Sequence, residues 1–187
     1  MNIIQTSIPD VLIVEPKIYT DSRGFFFENY SLERYRQAGI DTTFVQDNIS
    51  SSEQGVLRGL HFQNPNPQGK LVYVLEGKVF DVAVDIRKGS PTYGKWTGHT
   101  LTDNNKYQLW IPPGFAHGFY VMSESALFCY KCTDYYNADA DISIAWNDPT
   151  IGIDWPTNQP ILSNKDKDCH MLEEISDDVL PIYGVNN

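Results

Sequence analysis

The sequence is poor in the features that mark secreted, membrane or nucleic-acid-binding chains. It has three cysteines in 187 residues, an odd count, and a chain of this size buries enough core to dispense with disulfides. Its longest apolar runs fall far short of the ~20 residues that span a bilayer. The opening Met1-Asn2-Ile3-Ile4-Gln5-Thr6 lacks a basic cluster followed by a long apolar stretch, so no secretory signal is expected. Fourteen lysines and arginines against 24 acidic residues leave a net charge of −10. That disfavours nucleic acid, whose phosphates call for clustered cations, although a few converging basic residues can still hold a small anion. Much of the acid excess sits near the C-terminus, in Glu173-Glu174 and Asp177-Asp178, and reads as solvated surface. Repeats, low-complexity tracts and domain-splitting linkers are missing as well. These absences predict one domain over residues 1–187, in the cytoplasm of a prokaryote-like cell, with no nucleic-acid or membrane partner.

What remains is rich in strand signals. Phe80, Val82, Val84 and Ile86 alternate with Val79, Asp81, Ala83 and Asp85, a period of two with one wholly apolar face. Lys70–Leu75 reads as the preceding strand and Glu76-Gly77-Lys78 as a hairpin turn between the two. Further strands are predicted at Trp96–Leu101, Tyr107–Ile111, Gly118–Met122, Leu127–Tyr135 and Ile142–Trp146. Turn signals separate them: Gly89-Ser90-Pro91, Asp103-Asn104-Asn105, Pro112-Pro113-Gly114 and Asn147-Asp148-Pro149. One short helix is expected at Leu32–Ala38, with Ser31 as its N-cap and Gly39 just past its end. Many short strands imply an all-β sandwich or barrel, and a jelly roll fits the pattern.

Two segments stand out: Arg58-Gly59-Leu60-His61-Phe62-Gln63, and Trp110 to Phe119 with His117 inside it. Each places a histidine in an aromatic-rich strand, and an imidazole is the side chain suited to take a proton near pH 7. Arg58, Gln63, Lys70 and Tyr130 are candidate neighbours of His61, since charged groups are rarely buried without a task. His99 and His170 lack such company and read as surface residues. Pro112-x-Gly114-x-x-His117 is similar to half of a cupin metal signature. The other half wants His-x-His and a glutamate, and His61-Phe62-Gln63 supplies one histidine alone, so no metal is expected. Cys129 and Cys132 are three apart in a predicted strand, which points them to opposite faces and argues for core cysteines over a zinc or redox pair. Asp21-Ser22-Arg23-Gly24-Phe25-Phe26-Phe27-Glu28 brackets three phenylalanines with an arginine and a glutamate. It suits either a subunit contact or a nucleobase platform with a phosphate-binding arginine.

Taken together, the stretches DSRGFFFENY, FVQDNISSSEQGVLRGLHFQ, GKLVYVLEGKVFDVAVDIRKGSPTYGKW, QLWIPPGFAHGFYVMS, YKCTDYY, WNDPTIGIDWP and LSNKD resemble the dTDP-4-dehydrorhamnose 3,5-epimerase family. They run from Asp21 to Asp166 in order with little interruption, which makes the resemblance specific. It implies a cupin-like jelly-roll barrel with short peripheral helices, working as a homodimer whose N-terminal strands cross between subunits. It also implies a reaction without cofactor or metal. The C4 ketone of dTDP-4-dehydro-6-deoxy-α-D-glucose acidifies C3–H and C5–H. Deprotonation and reprotonation from the opposite face give dTDP-4-dehydro-β-L-rhamnose. Matched residue by residue, His61 is the general base, Asp166 the carboxylate that orients it, and Tyr130 the general acid. Lys70 and His117 match groups near the ketone oxygen and the sugar. Arg23, Glu28, Gln46, Asp47, Asn48, Arg58 and Lys165 match positions that hold nucleotide, phosphates or sugar. Asp141 stands where the family has a glutamate among the ligand contacts, and Tyr73 where it often has an arginine. Three other readings share parts of this pattern: an epimerase acting at C3 or C5 only, a sugar-binding cupin without activity, and a metal-dependent cupin enzyme. An Arg58 and His61 that serve one site need a bulge at Gly59, because strict alternation would put them on opposite faces.

Overall fold

The computed structural model describes residues 1–185. In chain order the elements are β1 (Asn2–Gln5), β2 (Leu12–Glu15), β3 (Tyr19–Asp21), β4 (Gly24–Phe26), α1 (Leu32–Gln37), β5 (Gln46–Glu53), β6 (Leu57–Gln63), β7 (Lys70–Glu76) and β8 (Lys78–Asp85). They continue with β9 (Trp96–Thr102), β10 (Gln108–Ile111), β11 (Phe115–Val121), β12 (Ser125–Cys132), β13 (Asp141–Ser143) and α2 (Asn164–Lys167). A six-stranded sheet in the order β1-β2-β10-β7-β12-β5 packs against a five-stranded sheet in the order β13-β6-β11-β8-β9. All their strand pairings are antiparallel. The result is the expected all-β jelly roll. β3 and β4 form a separate hairpin.

The core between the sheets takes Ile13, Val72, Val74, Leu109, Ile111 and Phe128 from one side and Val79, Ala83, Leu101, Phe115, Phe119 and Val121 from the other. Both faces of β8 are buried. Its apolar face, Phe80, Val82 and Val84, packs outward beneath Ile144, Ile151, Leu172 and Leu180 of the C-terminal part of the chain. The other face looks into the barrel and carries Asp81 and Asp85, both fully buried. α1 covers part of the outer face of the six-stranded sheet, where Tyr35 and Ile40 join Leu12, Val14, Leu71 and Trp110. It ends as predicted at Gly39, whose φ of +91° is the left-handed value that closes a helix.

One expected hairpin is not formed. Glu76-Gly77-Lys78 does not pair β7 with β8, because the two strands belong to different sheets. The turn carries the chain from one sheet to the other. Gly77 sits there at φ +88°, and a Cβ would collide with the Ser125 carbonyl. Alternation along two neighbouring strands reads the same whether they pair or face each other, so the sequence pattern does not tell these cases apart.

Candidate active site

Two recesses at one end of the barrel share His61, Lys70 and Tyr130. The larger, about 530 Å³, is also lined by Arg58, His117, Lys165 and Asp166. The smaller, about 290 Å³, adds Gln46, Asn48, Gln63, Tyr136 and Asp141. β6, β11, β7 and β12 therefore deliver the chemistry from both sheets.

The bulge that Arg58 and His61 require is present. His61 stands opposite His117 and Arg58 opposite Phe119, so β6 spends one residue more than β11 over this stretch. Gly59 lies inside it at φ +118°, and a Cβ there would come within 2.6 Å of Gly118 Cα and the His117 carbonyl oxygen. Only glycine fits without moving the neighbouring strand. The extra residue turns both Arg58 and His61 toward the cavity, where Arg58 Nε donates to Ser52 Oγ at 3.0 Å.

Asp166 reaches His61 from far along the chain. It sits on α2, a single turn capped by Ser163, whose Oγ accepts from the Asp166 backbone N–H at 3.1 Å and donates to Asp166 Oδ2 at 2.8 Å. Asp166 Oδ1 lies 2.6 Å from His61 Nε2. Burial alone would raise the Asp166 carboxyl, but the contacts with His61 and Ser163 outweigh it and hold it below the ordinary carboxylate range. The second ring nitrogen of His61 has no protein partner among the described residues. It is the nitrogen left to take a proton from a ligand.

Across the cavity, burial raises the Tyr130 phenol, which keeps it protonated and able to donate. Burial lowers Lys70, which has no ion-pair partner among the described residues. His117 is paired with Asp81 at 2.9 Å. Burial depresses the imidazole and raises the carboxyl, each opposed by the other partner. Asp81 had no place in the site expected from sequence, although a carboxylate flanked by Val79, Phe80, Val82 and Ala83 was a usable signal. His99, expected at the surface, is instead half-buried: it stands opposite Asp81 and contacts Thr97 Oγ1 at 2.9 Å. Burial lowers its imidazole too. Ser163 was also missed, though Ser163-Asn164-Lys165-Asp166 has the spacing of a capping box.

Three expected ligand contacts lie outside both recesses. β5 turns Gln46, Asn48, Ser50 and Ser52 inward, so Asp47 between them points outward to Lys131 at 2.9 Å. Glu28 pairs with Arg34 at 3.2 Å. Arg23, at the tip of the β3–β4 hairpin, is 89% exposed and pairs with Asp21 at 2.6 Å. Asp141 and Lys165 are joined at 2.6 Å at the edge of the site. Cys129 and Cys132 are free and buried. His61 and His117 each commit Nε2 to a carboxylate, and among the described residues no three His, Cys, Asp or Glu side chains converge on a point where a metal would sit.

A model of the dTDP-4-dehydrorhamnose 3,5-epimerase family matches residues 5–174. The chain is 56% identical over 177 residues to the dTDP-4-dehydrorhamnose 3,5-epimerase of Salmonella typhimurium, covering 93% of this chain and 97% of that protein. It is also 56% identical over 167 residues to the Neisseria gonorrhoeae enzyme of the same name, covering 89% of this chain but 51% of that protein, so it spans about half of that relative. A crystal structure of the Legionella pneumophila dTDP-6-deoxy-D-glucose-3,5-epimerase in complex with dTDP-4-keto-L-rhamnose superposes with a TM-score of 0.96 at 55% identity. That match covers 98% of this chain and 99% of the other. Jelly roll and acid–base cavity together define an isomerase that epimerises a sugar. The chain belongs to the dTDP-4-dehydrorhamnose 3,5-epimerase family.

Proposed function

We propose that this chain converts dTDP-4-dehydro-6-deoxy-α-D-glucose to dTDP-4-dehydro-β-L-rhamnose, in dTDP-L-rhamnose and deoxysugar formation. The observation that carries the reading is the His61–Asp166 pair facing Tyr130 and Lys70 in one cavity. His61 takes the proton from C3 or C5. The C–H electron pair moves into a C=C bond and the ketone becomes an enolate, whose oxygen the Lys70 ammonium stabilises. Tyr130 returns a proton to the same carbon from the opposite face, restoring the ketone with inverted configuration. Asp166 holds the imidazole in place and supports its charged form. No electron leaves the substrate, so no redox partner is required.

Arg58, Gln46, Asn48 and His117 line the recesses and suit the sugar and diphosphate. Arg23, Glu28 and Asp47 do not reach their own cavity, which favours a homodimer in which the β3–β4 hairpin serves a partner. Phe25 and Phe26 are 58% and 69% exposed on that hairpin, as are Ile49 (66%) and Leu75 (47%) on the outer face of the six-stranded sheet, an apolar area that a second copy would cover. Lys165 and Asp141 complete the binding set. One domain over residues 1–187 holds this machinery, placed in the cytoplasm. Among the described residues no helix is long and apolar enough to cross a membrane.

The test is incubation with the substrate in D₂O containing EDTA, followed by NMR. Deuterium at both C3 and C5 is expected. Label at one carbon alone would favour the mono-epimerase reading, no label would favour a non-catalytic cupin, and label that appears only with added metal would remove cofactor independence.

A further inference from the structure

The carboxylate that orients His61 rides on a weakly anchored stretch of chain. At one end, Ile161 bonds with Gly55 and Leu57; at the other, the His170 carbonyl accepts from Ala145. Between these points no backbone hydrogen bond joins the stretch to the barrel among the described residues. Its only helical structure is α2, four residues long, and one turn has little stability of its own. The position of Asp166 must therefore be set by side-chain contacts.

Two salt links provide them, from adjacent residues. Asp166 meets His61 at 2.6 Å, and Lys165 Nζ donates to Asp141 Oδ2 at 2.6 Å. Both partner positions on the barrel belong to the same antiparallel pair: Asp141 stands opposite Gln63, and Ser143 opposite His61. The two links thus run side by side between α2 and the β6–β13 edge. Asp141 is itself fixed, because the Tyr136 hydroxyl donates to the same Oδ2 at 2.8 Å. The Asp141 side chain is 13% exposed and that of Lys165 is 47% exposed. A half-exposed pair adds little to global stability. Its geometry suits a local task.

We propose that Asp141, held by Tyr136, is a positioning residue for the epimerisation: by clamping Lys165 it fixes the α2 turn so that Asp166 meets His61. The inference rests on the reading of His61 as the base, but it can be tested without turnover. In the free protein the N–H proton between His61 Nε2 and Asp166 should give a far-downfield ¹H NMR resonance, assigned by its loss in Asp166→Asn. In Asp141→Ala and in Lys165→Met this resonance should broaden or vanish. Loss of the lysine charge alone would leave the Asp166 carboxylate a stronger acceptor and tighten the bond, so weakening in Lys165→Met reports displacement, not charge. In both variants kcat should fall by about ten- to a hundredfold, the scale of a small misplacement of a catalytic group, while KM rises by a smaller factor. Asp141→Glu, which keeps the charge and the reach, should recover most of both signals. The double variant Asp141→Ala/Lys165→Met should be no worse than either single one, since both break one clamp.

An unchanged resonance in Asp141→Ala and Lys165→Met would overturn the proposal. So would a rise in KM that exceeds the fall in kcat, which would make the two residues ligand contacts only. If the wild-type protein does not epimerise the sugar, the proposed function fails, and the resonance in the variants still decides the clamp.

Discussion

His61 and His117 stand directly opposite each other on β6 and β11, yet their rings are bound to carboxylates of opposite character. The partner of His61, Asp166, is held below the ordinary carboxylate range and stays charged. The partner of His117, Asp81, is buried in the barrel wall, where its carboxyl is raised and its imidazole depressed. A charged carboxylate is thereby set beside His61, whereas His117 remains a neutral hydrogen-bonding group. This asymmetry favours His61 over His117 as the proposed base.

His61→Asn should abolish both solvent exchange and epimerisation, by at least the roughly 10²–10⁴-fold that a positioned base supplies. Asp166→Asn should be less severe, because the imidazole remains and loses only its support. Tyr130→Phe should still form the enolate and collect deuterium from the His61 side while losing most of the inverted product. Exchange and product are read in one NMR experiment in D₂O. Wild-type epimerisation by Tyr130→Phe, or normal exchange by His61→Asn, would show that the roles are misassigned.

Lys70 should set the alkaline limb of the rate profile. Enolate stabilisation needs its ammonium form, and burial lowers its pKa, so activity is lost as pH rises through a value below that of an ordinary lysine. Tyr130 is shifted the other way and stays protonated over that range. Lys70→Arg, which keeps its charge, should have a lower kcat and a plateau extending to higher pH. A limb that does not move in this variant would take Lys70 out of the role.

Asp85 should contribute acid-sensitive stability. Burial would raise its carboxyl, but bonds from Arg87, Ser90 and Thr92 overcome this and lower it. Its stabilisation is therefore complete above the ordinary carboxylate range and is lost as pH falls through the lowered folded value. Asp85→Asn should cost about 3–5 kcal/mol near neutral pH, the scale for breaking a buried ion pair. The gap from wild type should narrow on acidification. Urea unfolding at several pH values measures it, and a constant gap would contradict the argument.

Gly59→Ala should damage fold and site together. The left-handed backbone costs about 1–3 kcal/mol for a non-glycine residue, and the methyl would press on Gly118 and the His117 carbonyl. A lowered thermal midpoint with a loss of kcat larger than that of KM is expected. Full activity would mean that the bulge is not what aims His61.

A homodimer is expected at micromolar concentration by light scattering. Phe25→Asp/Phe26→Asp should shift it toward monomer and raise KM, since Arg23 and Glu28 would no longer reach a neighbouring cavity. A monomeric wild type with full activity would exclude the arrangement.

Strand content, the α1 cap and the chemical inventory were legible because each rests on local spacing. The runs LVYVL and VFDVAV alternate, Gly39 closes a helix, and RGLHFQ holds a histidine beside a glycine. The bulge at Gly59 was also inferable, on the expectation that one strand presents Arg58 and His61 to one cavity. The same local rule explains Asp47: flanked by Gln46 and Asn48, it had to face away from them.

Partnership was not legible. His61 and Asp166 are 105 residues apart, and Asp81 is 36 from His117. Alternation states which residues share a face of a strand; it does not state which sheet the strand joins or which face is covered. For this protein the sequence by itself determined the family, the strand periodicity and the candidate set of acid, base and cation. Tertiary structure alone decided that Glu76–Lys78 links two sheets, that Asp81 and Asp85 point inward, and that His99 is half-buried. It also decided that Asp141 and Lys165 meet beside the His61–Asp166 pair. These outcomes depend on strand register and sheet packing, which bring together residues far apart along the chain.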